Sequence, residues 1–448
     1  MSLVTTTELY EVTMALSYLR EDMRAPATFS LFVRDLPPGH GFLVAAGLEP
    51  ALDHLSRFRV GLSDVRAFAE ALGRPVEELE PLHGLSFDGQ VRAVPEGRLV
   101  FAGEPLLEVT ATLPQAMLVE TYLVALVCHQ TAVAAKAARC VLAAAGRSLV
   151  DSCSRRTHEP AGSLQAARLC ALVGFAGTSN VAAAARYGIP SSGTMAHSHI
   201  ESFASEEDAF RAFARAHPGP VTLLVDTYDT DRGVATAARV LTDLGRGPGS
   251  AIRIDSGDLG ARAHRARATL DAAGLRDVRI IAGGELDEYG VAALVRDGAP
   301  IDVFAVGTKT GVAAGAPYLD ASYKLVEYDG RPVMRLASAQ ATAPAPKQVF
   351  RGAGFRDTVG LANEEPPDGT EPLLRTVMRG GLRTEPPDTL DAARARFEAE
   401  LAQLPEAARR IENPVAPVPA ASTRLTVLTT VVRHRIEARP EGGHGAGP

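Results

Sequence analysis

Between residues 148 and 306 the chain repeats one arrangement: a short apolar run, a small or acidic polar residue, then a stretch of helical spacing. The apolar runs are 148–150, 189–190, 221–225, 251–254, 278–282 and 303–306, with 323–326 as a further strand. The helical stretches are 161–172, 208–215, 233–244, 260–273 and 286–297. Strand and helix in alternation predict a parallel sheet, because parallel neighbours need a crossover and a helix usually supplies it. The runs lead into Asp151, Thr194, Asp226, Asp255, Gly283 and Gly307-Thr308. In a barrel, catalytic groups collect at the carboxyl ends of all strands; in an open sheet they gather near one switch point. Their spread over so many strands favours an α/β barrel. Any one aspartate is equally suited to cap the next helix, whereas the set together predicts a shared site.

The flanks read differently, and the 448 residues divide into an N-terminal α+β segment (1–112), an α/β-barrel domain (113–350) and a C-terminal segment (351–448). Residues 28–33 and 105–110 read as strands, and 58–72, 115–145 and 390–404 as helices, with the end from Glu437 expected to fray. The net charge of −7 gives no basic field for nucleic acid or anionic membrane. Lys136 and Arg139 interrupt the most apolar stretch, 132–145, which argues against a membrane span. Cys128, Cys140, Cys153 and Cys170 show no CxxC spacing, so neither zinc nor a disulfide framework is expected, and a reducing, cytoplasmic setting fits. Two late runs end in glycine turns, Gly283-Gly284 and Gly307-Thr308, where backbone N–H groups can approach a phosphate.

Several motifs, in order along the chain, carry a resemblance. Glu8-Leu9-Tyr10-Glu11-Val12-Thr13-Met14, Gly177-Thr178-Ser179-Asn180, Gly193-Thr194-Met195-Ala196-His197-Ser198, Leu224-Val225-Asp226-Thr227-Tyr228-Asp229-Thr230, Arg253-Ile254-Asp255-Ser256-Gly257-Asp258 and Lys347-Gln348-Val349 resemble those of the nicotinate phosphoribosyltransferases. The resemblance implies that nicotinate and phosphoribosyl pyrophosphate give nicotinate mononucleotide and pyrophosphate, coupled to ATP hydrolysis through a phosphohistidine. It also implies an irregular parallel barrel with a second α+β domain built from both chain ends, and a homodimer with active sites shared between subunits.

Each candidate residue has a physical reading beside that implication. Arg253, flanked by Ile252 and Ile254, can form a bidentate pair with a planar carboxylate such as nicotinate. Arg155 and Arg156 suit nicotinate or pyrophosphate, with a solvated pair as the rival reading. Tyr10 can stack on a pyridine ring, which the resemblance places in the partner's site, or lie in the core. Thr194 and Ser179 are implied to contact nicotinate, and Gly283, Gly284, Gly307 and Thr308 the phosphoribosyl group. His197 is the implied phosphate acceptor; its imidazole needs an orienting carboxylate, for which Asp226 and Asp255 are the candidates. Asp255 is also expected to accept from ribose hydroxyls and, with Asp226, to stabilise a cation-like ribosyl centre. Mg²⁺ is expected because a departing pyrophosphate needs its charge neutralised; its protein ligands are not assigned.

Three positions depart from the family pattern: Ser152 where an aromatic is common, Glu285 where Gly or Asp is usual, and Gln340 in place of Lys. They leave open a related pyridine phosphoribosyltransferase, acting on nicotinamide or quinolinate, and a non-catalytic binder of nucleotides or phosphosugars. Ser179 speaks against nicotinamide, since the amide-specific relative carries Asp there.

Overall fold

The computed structural model describes residues 3–336 and 342–438, so Gln340 and the end beyond Ala438 lie outside the described residues. The chain separates into two compact units, residues 133–317 and the remainder from both chain ends.

The unit 133–317 carries a parallel sheet of six strands: β1 (Ser148–Asp151), β2 (Gly177–Thr178), β3 (Thr222–Leu224), β4 (Ala251–Ile254), β5 (Arg279–Ala282) and β6 (Val303–Val306). Their order is β2-β1-β6-β5-β4-β3, all parallel. This is the cyclic order of a barrel opened between β2 and β3, a half-barrel sheet. The gap is spanned by irregular chain. Ser191 makes a single parallel bridge to Thr178, and the Thr194 hydroxyl donates to the Thr222 carbonyl. The expected strand 189–190 is therefore one bridge rather than a strand, and β2, only two residues long, was not anticipated.

Helices Glu159–Leu172, Glu206–Ala216, Thr230–Asp243, Leu259–Ala272 and Glu288–Arg296 follow the expected stretches closely. Their caps explain where they start. Asp229, Asp258 and Asp287 each accept from the backbone N–H three residues on, satisfying donors that a helix end leaves open. Asp226 and Asp255 are not caps, so the capping alternative falls to their neighbours.

In the other unit a seven-stranded antiparallel sheet mixes both chain ends. Its order is Arg331–Pro332, Ala321–Tyr328, Pro26–Val33, Pro105–Thr112, Gln90–Ala93, Arg375–Arg379 and Leu382–Arg383. A four-stranded sheet adds Glu371–Pro372, Lys347–Arg351, Thr358–Leu361 and Ala420–Ala421. Residues 323–326, expected as a further strand of the parallel set, instead pair antiparallel with Pro26–Val33. Tyr323 fixes that placement: its ring stacks on Phe29 at 4.8 Å and its buried hydroxyl donates to the Ala116 carbonyl at 2.9 Å. The predicted helix 115–145 is split at Val119 into Leu113–Leu118 and Glu120–Ala144. The final helix, Thr423–Glu437, includes Glu437, where fraying was expected to begin.

Candidate active site

The carboxyl ends of the six strands carry a constellation within the unit 133–317. A cavity there is lined by Arg253 and Asp151, by the hydroxyl residues Ser152, Ser179, Ser192, Thr194 and Thr222, and by Val150, Gly193, Ile281 and Ala305. Of the sequence candidates, Ser179, Thr194 and Arg253 line it. Arg253 is the cation among the lining residues, five of the others carry small hydroxyls, and the carboxylate of Asp151 is engaged by the Cys153 N–H and the Thr178 hydroxyl. Such a pocket suits a compact, flat molecule with one negative group.

Arg253 leaves β4 two residues before Asp255, on the same side of the strand. Its Nε donates to Asp255 Oδ1 at 2.8 Å, and its Nη2 lies 2.8 Å from Asp255 Oδ2. Burial raises the Asp255 carboxyl above its ordinary range; Arg253 draws it back, and neighbouring Asp226 pushes it up further. Asp226 Oδ2 accepts from the Asp255 backbone N–H at 2.9 Å and from the Ser256 hydroxyl at 2.6 Å. Asp226 Oδ1 is buried and has no hydrogen-bond partner.

His197 opens a short helix, His197–Glu201, and is half-buried. Its Nδ1 lies 3.1 Å from the Thr227 hydroxyl. No direct bond joins it to Asp226 or Asp255, although its charge is among those felt by Asp255. The expected orienting carboxylate is thus replaced, at first contact, by a threonine from the motif that also supplies Asp226.

The Gly283-Gly284 turn is shaped by Asp255, and Gly307 packs against Ser152. A Cβ on Gly283 would lie 2.3 Å from Asp255 Oδ1, and Gly284, at φ +87°, would bring one to 1.9 Å from the Asp255 carbonyl oxygen. The loop is bridged on both sides. Lys309, one residue beyond Thr308, donates to Asp287 at 3.0 Å, and Arg156 lies 3.7 Å from Glu285 across exposed surface. Lys309 went unmarked in the sequence, where a lysine beside a glycine turn gives little signal. Arg155 is exposed and outside the cavity lining. Asp151 is used internally: its carboxylate accepts from the Cys153 N–H at 2.9 Å and the Thr178 hydroxyl at 2.6 Å, fixing the loop that carries Ser152. Ser152 itself donates to the Val306 carbonyl at 3.1 Å.

Tyr10 belongs to the other unit, on helix Leu9–Arg20, with its side chain exposed. Partial burial and Glu120 raise its phenol above the ordinary range, so it stays protonated. Among the described residues no group of three or more His, Cys, Asp or Glu is arranged to hold a metal, and no helix is long and apolar enough to cross a membrane. All four cysteines are free and buried.

Comparison with known proteins gives a consistent result. The nicotinate phosphoribosyltransferase N-terminal domain matches residues 5–128, the nicotinate phosphoribosyltransferase family residues 148–310, and the corresponding C-terminal domain residues 363–417. A nicotinate phosphoribosyltransferase of Mycobacterium tuberculosis is 43% identical over 445 residues, covering 98% of this chain and 95% of the relative. The Bacillus subtilis enzyme of that name is 41% identical over 354 residues, covering 77% and 72%. The crystal structure of human nicotinic acid phosphoribosyltransferase superposes with a TM-score of 0.84 at 30% identity, covering 95% of this chain and 99% of the human one.

Proposed function

Since this chain belongs to the nicotinate phosphoribosyltransferase family and is a pentosyltransferase acting on nicotinate, we propose that the cavity at the strand ends is its base site and that transfer is coupled to ATP through His197. The observation that carries this reading is the position of Arg253 as the cation of a hydroxyl-walled cavity. Nicotinate enters with its carboxylate toward Arg253, and Ser179 and Thr194 offer neutral hydroxyls beside it. The phosphoribosyl donor occupies the neighbouring strand ends. Its phosphates lie along Gly283-Gly284 and Gly307-Thr308, and Arg155 and Arg156 supply positive charge from an exposed loop.

The nicotinate ring nitrogen attacks the anomeric carbon of the donor as the bond to pyrophosphate breaks. Positive charge develops on the ribose, and the carboxylates of Asp226 and Asp255 stabilise it in a partly dry site. Asp255 accepts from the ribose hydroxyls. With Nδ1 engaged by Thr227, Nε2 of His197 attacks the γ-phosphate of ATP as ADP leaves, and water later cleaves the phosphohistidine to phosphate and free His197. The unpartnered, buried Oδ1 of Asp226 would hold a Mg²⁺ ion, a cation that favours a protein carboxylate together with phosphate oxygens. When bound, the ion neutralises charge on the departing pyrophosphate. Tyr10 of a partner subunit stacks on the pyridine, the α/β half-barrel is completed as an irregular barrel around the gap between β2 and β3, and the dimer works in the cytoplasm.

A product assay with nicotinate, nicotinamide and quinolinate, each with phosphoribosyl pyrophosphate and with or without ATP, tests this reading. Mononucleotide from nicotinate alone, accelerated by ATP, is expected. Equal turnover of nicotinamide, or indifference to ATP, would overturn the corresponding part.

A further inference from the structure

We propose that Asp255 governs the nicotinate subsite by occupying Arg253, and that the phosphoribosyl donor relieves this hold; the inference rests on the reading of the cavity as the base site. Both carboxylate oxygens of Asp255 sit against the Nε–Nη2 edge of the guanidinium, at 2.8 Å each. That is the planar, two-point geometry a substrate carboxylate would adopt. With the donor absent, the base cavity therefore presents a neutral ion pair rather than a free cation. An incoming carboxylate meets less attraction and also faces the like charge of Asp255.

The pair is built into the fold. The Asp255 backbone N–H and the Ser256 hydroxyl are both held by Asp226 Oδ2. Asp255 Oδ1 occupies space that any Cβ on Gly283 would claim, at 2.3 Å. A carboxylate has no donors of its own, so the vicinal hydroxyls of a ribose are suited to draw it away. Once they engage Asp255, the edge of Arg253 is open to nicotinate. The two substrates then bind with positive coupling, and by linkage each tightens the other equally. The opposing possibility is that Asp255 only orients Arg253, in which case its removal weakens nicotinate under all conditions.

Calorimetric titration of nicotinate into the full-length enzyme, alone and with a carbocyclic, unreactive analogue of phosphoribosyl pyrophosphate, separates these outcomes. In the wild type the analogue should tighten nicotinate about tenfold, within the usual range for coupled sites. Asp255→Asn should bind nicotinate alone about as tightly as the wild type does with the analogue, and should lose the coupling. Equal or weaker binding of nicotinate alone by Asp255→Asn overturns the proposal, and so does a wild type indifferent to the analogue, a measurement that needs no variant to fold. Arg253→Gln should bind nicotinate weakly in both arms. Undiminished binding by that variant would sink the base-site reading itself, and this proposal with it.

Discussion

Asp226 and Asp255 end neighbouring strands three residues before Asp229 and Asp258, and the division of labour between the pairs is chemical. The later residues cap helices, while the earlier ones face each other, Arg253 and the space in front of the sheet. His197 is held by the Thr227 hydroxyl, next in sequence to Asp226, rather than by a carboxylate. If His197 is the phosphate acceptor, His197→Ala should keep its fold and retain slow transfer that ATP no longer stimulates. Full ATP stimulation, or labelling from γ-labelled ATP equal to the wild type, would contradict the assignment. Glu120 and His54, in the other unit, contribute opposing slopes to the pH dependence of stability. Burial, with Glu11 beside it, lifts Glu120 to about 7 from 4.5, so the folded state holds a proton there that the unfolded chain has lost. Stability is therefore lost as pH rises from about 4.5 to about 7. Burial lowers His54 from 6.5 to about 4, with Arg57 adding to the effect, so its contribution is lost as pH falls through that window. The two slopes oppose one another. Glu120→Gln should raise Tm near neutrality and lose that advantage on acidification. A Tm difference from wild type that does not change with pH would contradict this.

At the scale of elements, five of the six parallel strands were legible as short apolar runs; β6, buried at all four positions, is the clearest of them. Ala321–Tyr328 buries Ser322, Tyr323 and Val326 and leaves its other positions half-buried, so its apolar core residues read like one more run of the series. The two-residue β2 has no apolar run to read, since Gly177 and Thr178 are held by backbone pairing and by Asp151. The motif residues of the candidate site were visible in the sequence, but the partner of His197 and the bridge from Lys309 to Asp287 depend on loop geometry that spacing does not encode. Gly284 shows what such geometry demands. Its positive φ and the 1.9 Å approach of a Cβ to the Asp255 carbonyl predict that Gly284→Ala costs ~3 kcal/mol. A melting curve should show Tm lowered by roughly 5 °C or more, and an unchanged Tm would mean the loop yields without strain.

For the whole molecule, the three matched regions and the human structure span nearly the full chain, so the departures at Ser152 and Glu285 are local changes within one architecture. Ser152 is tied to the Val306 carbonyl and presents a small polar wall; Glu285 sits at φ 54° and meets Arg156. If active sites are shared between subunits, Tyr10→Ala chains mixed with Arg253→Ala chains should recover activity, since one site of the heterodimer carries both native side chains. No recovery under proven subunit exchange would count against sharing. If Arg253 makes this enzyme select a carboxylate-bearing pyridine, it does so with a charge-assisted bond worth roughly 1.5–3 kcal/mol. The most direct test is kcat/KM for nicotinate and for nicotinamide in the wild type and in Arg253→Gln. A strong wild-type preference for nicotinate that falls by about tenfold or more in the variant is predicted; a preference that survives the loss of the guanidinium would contradict it.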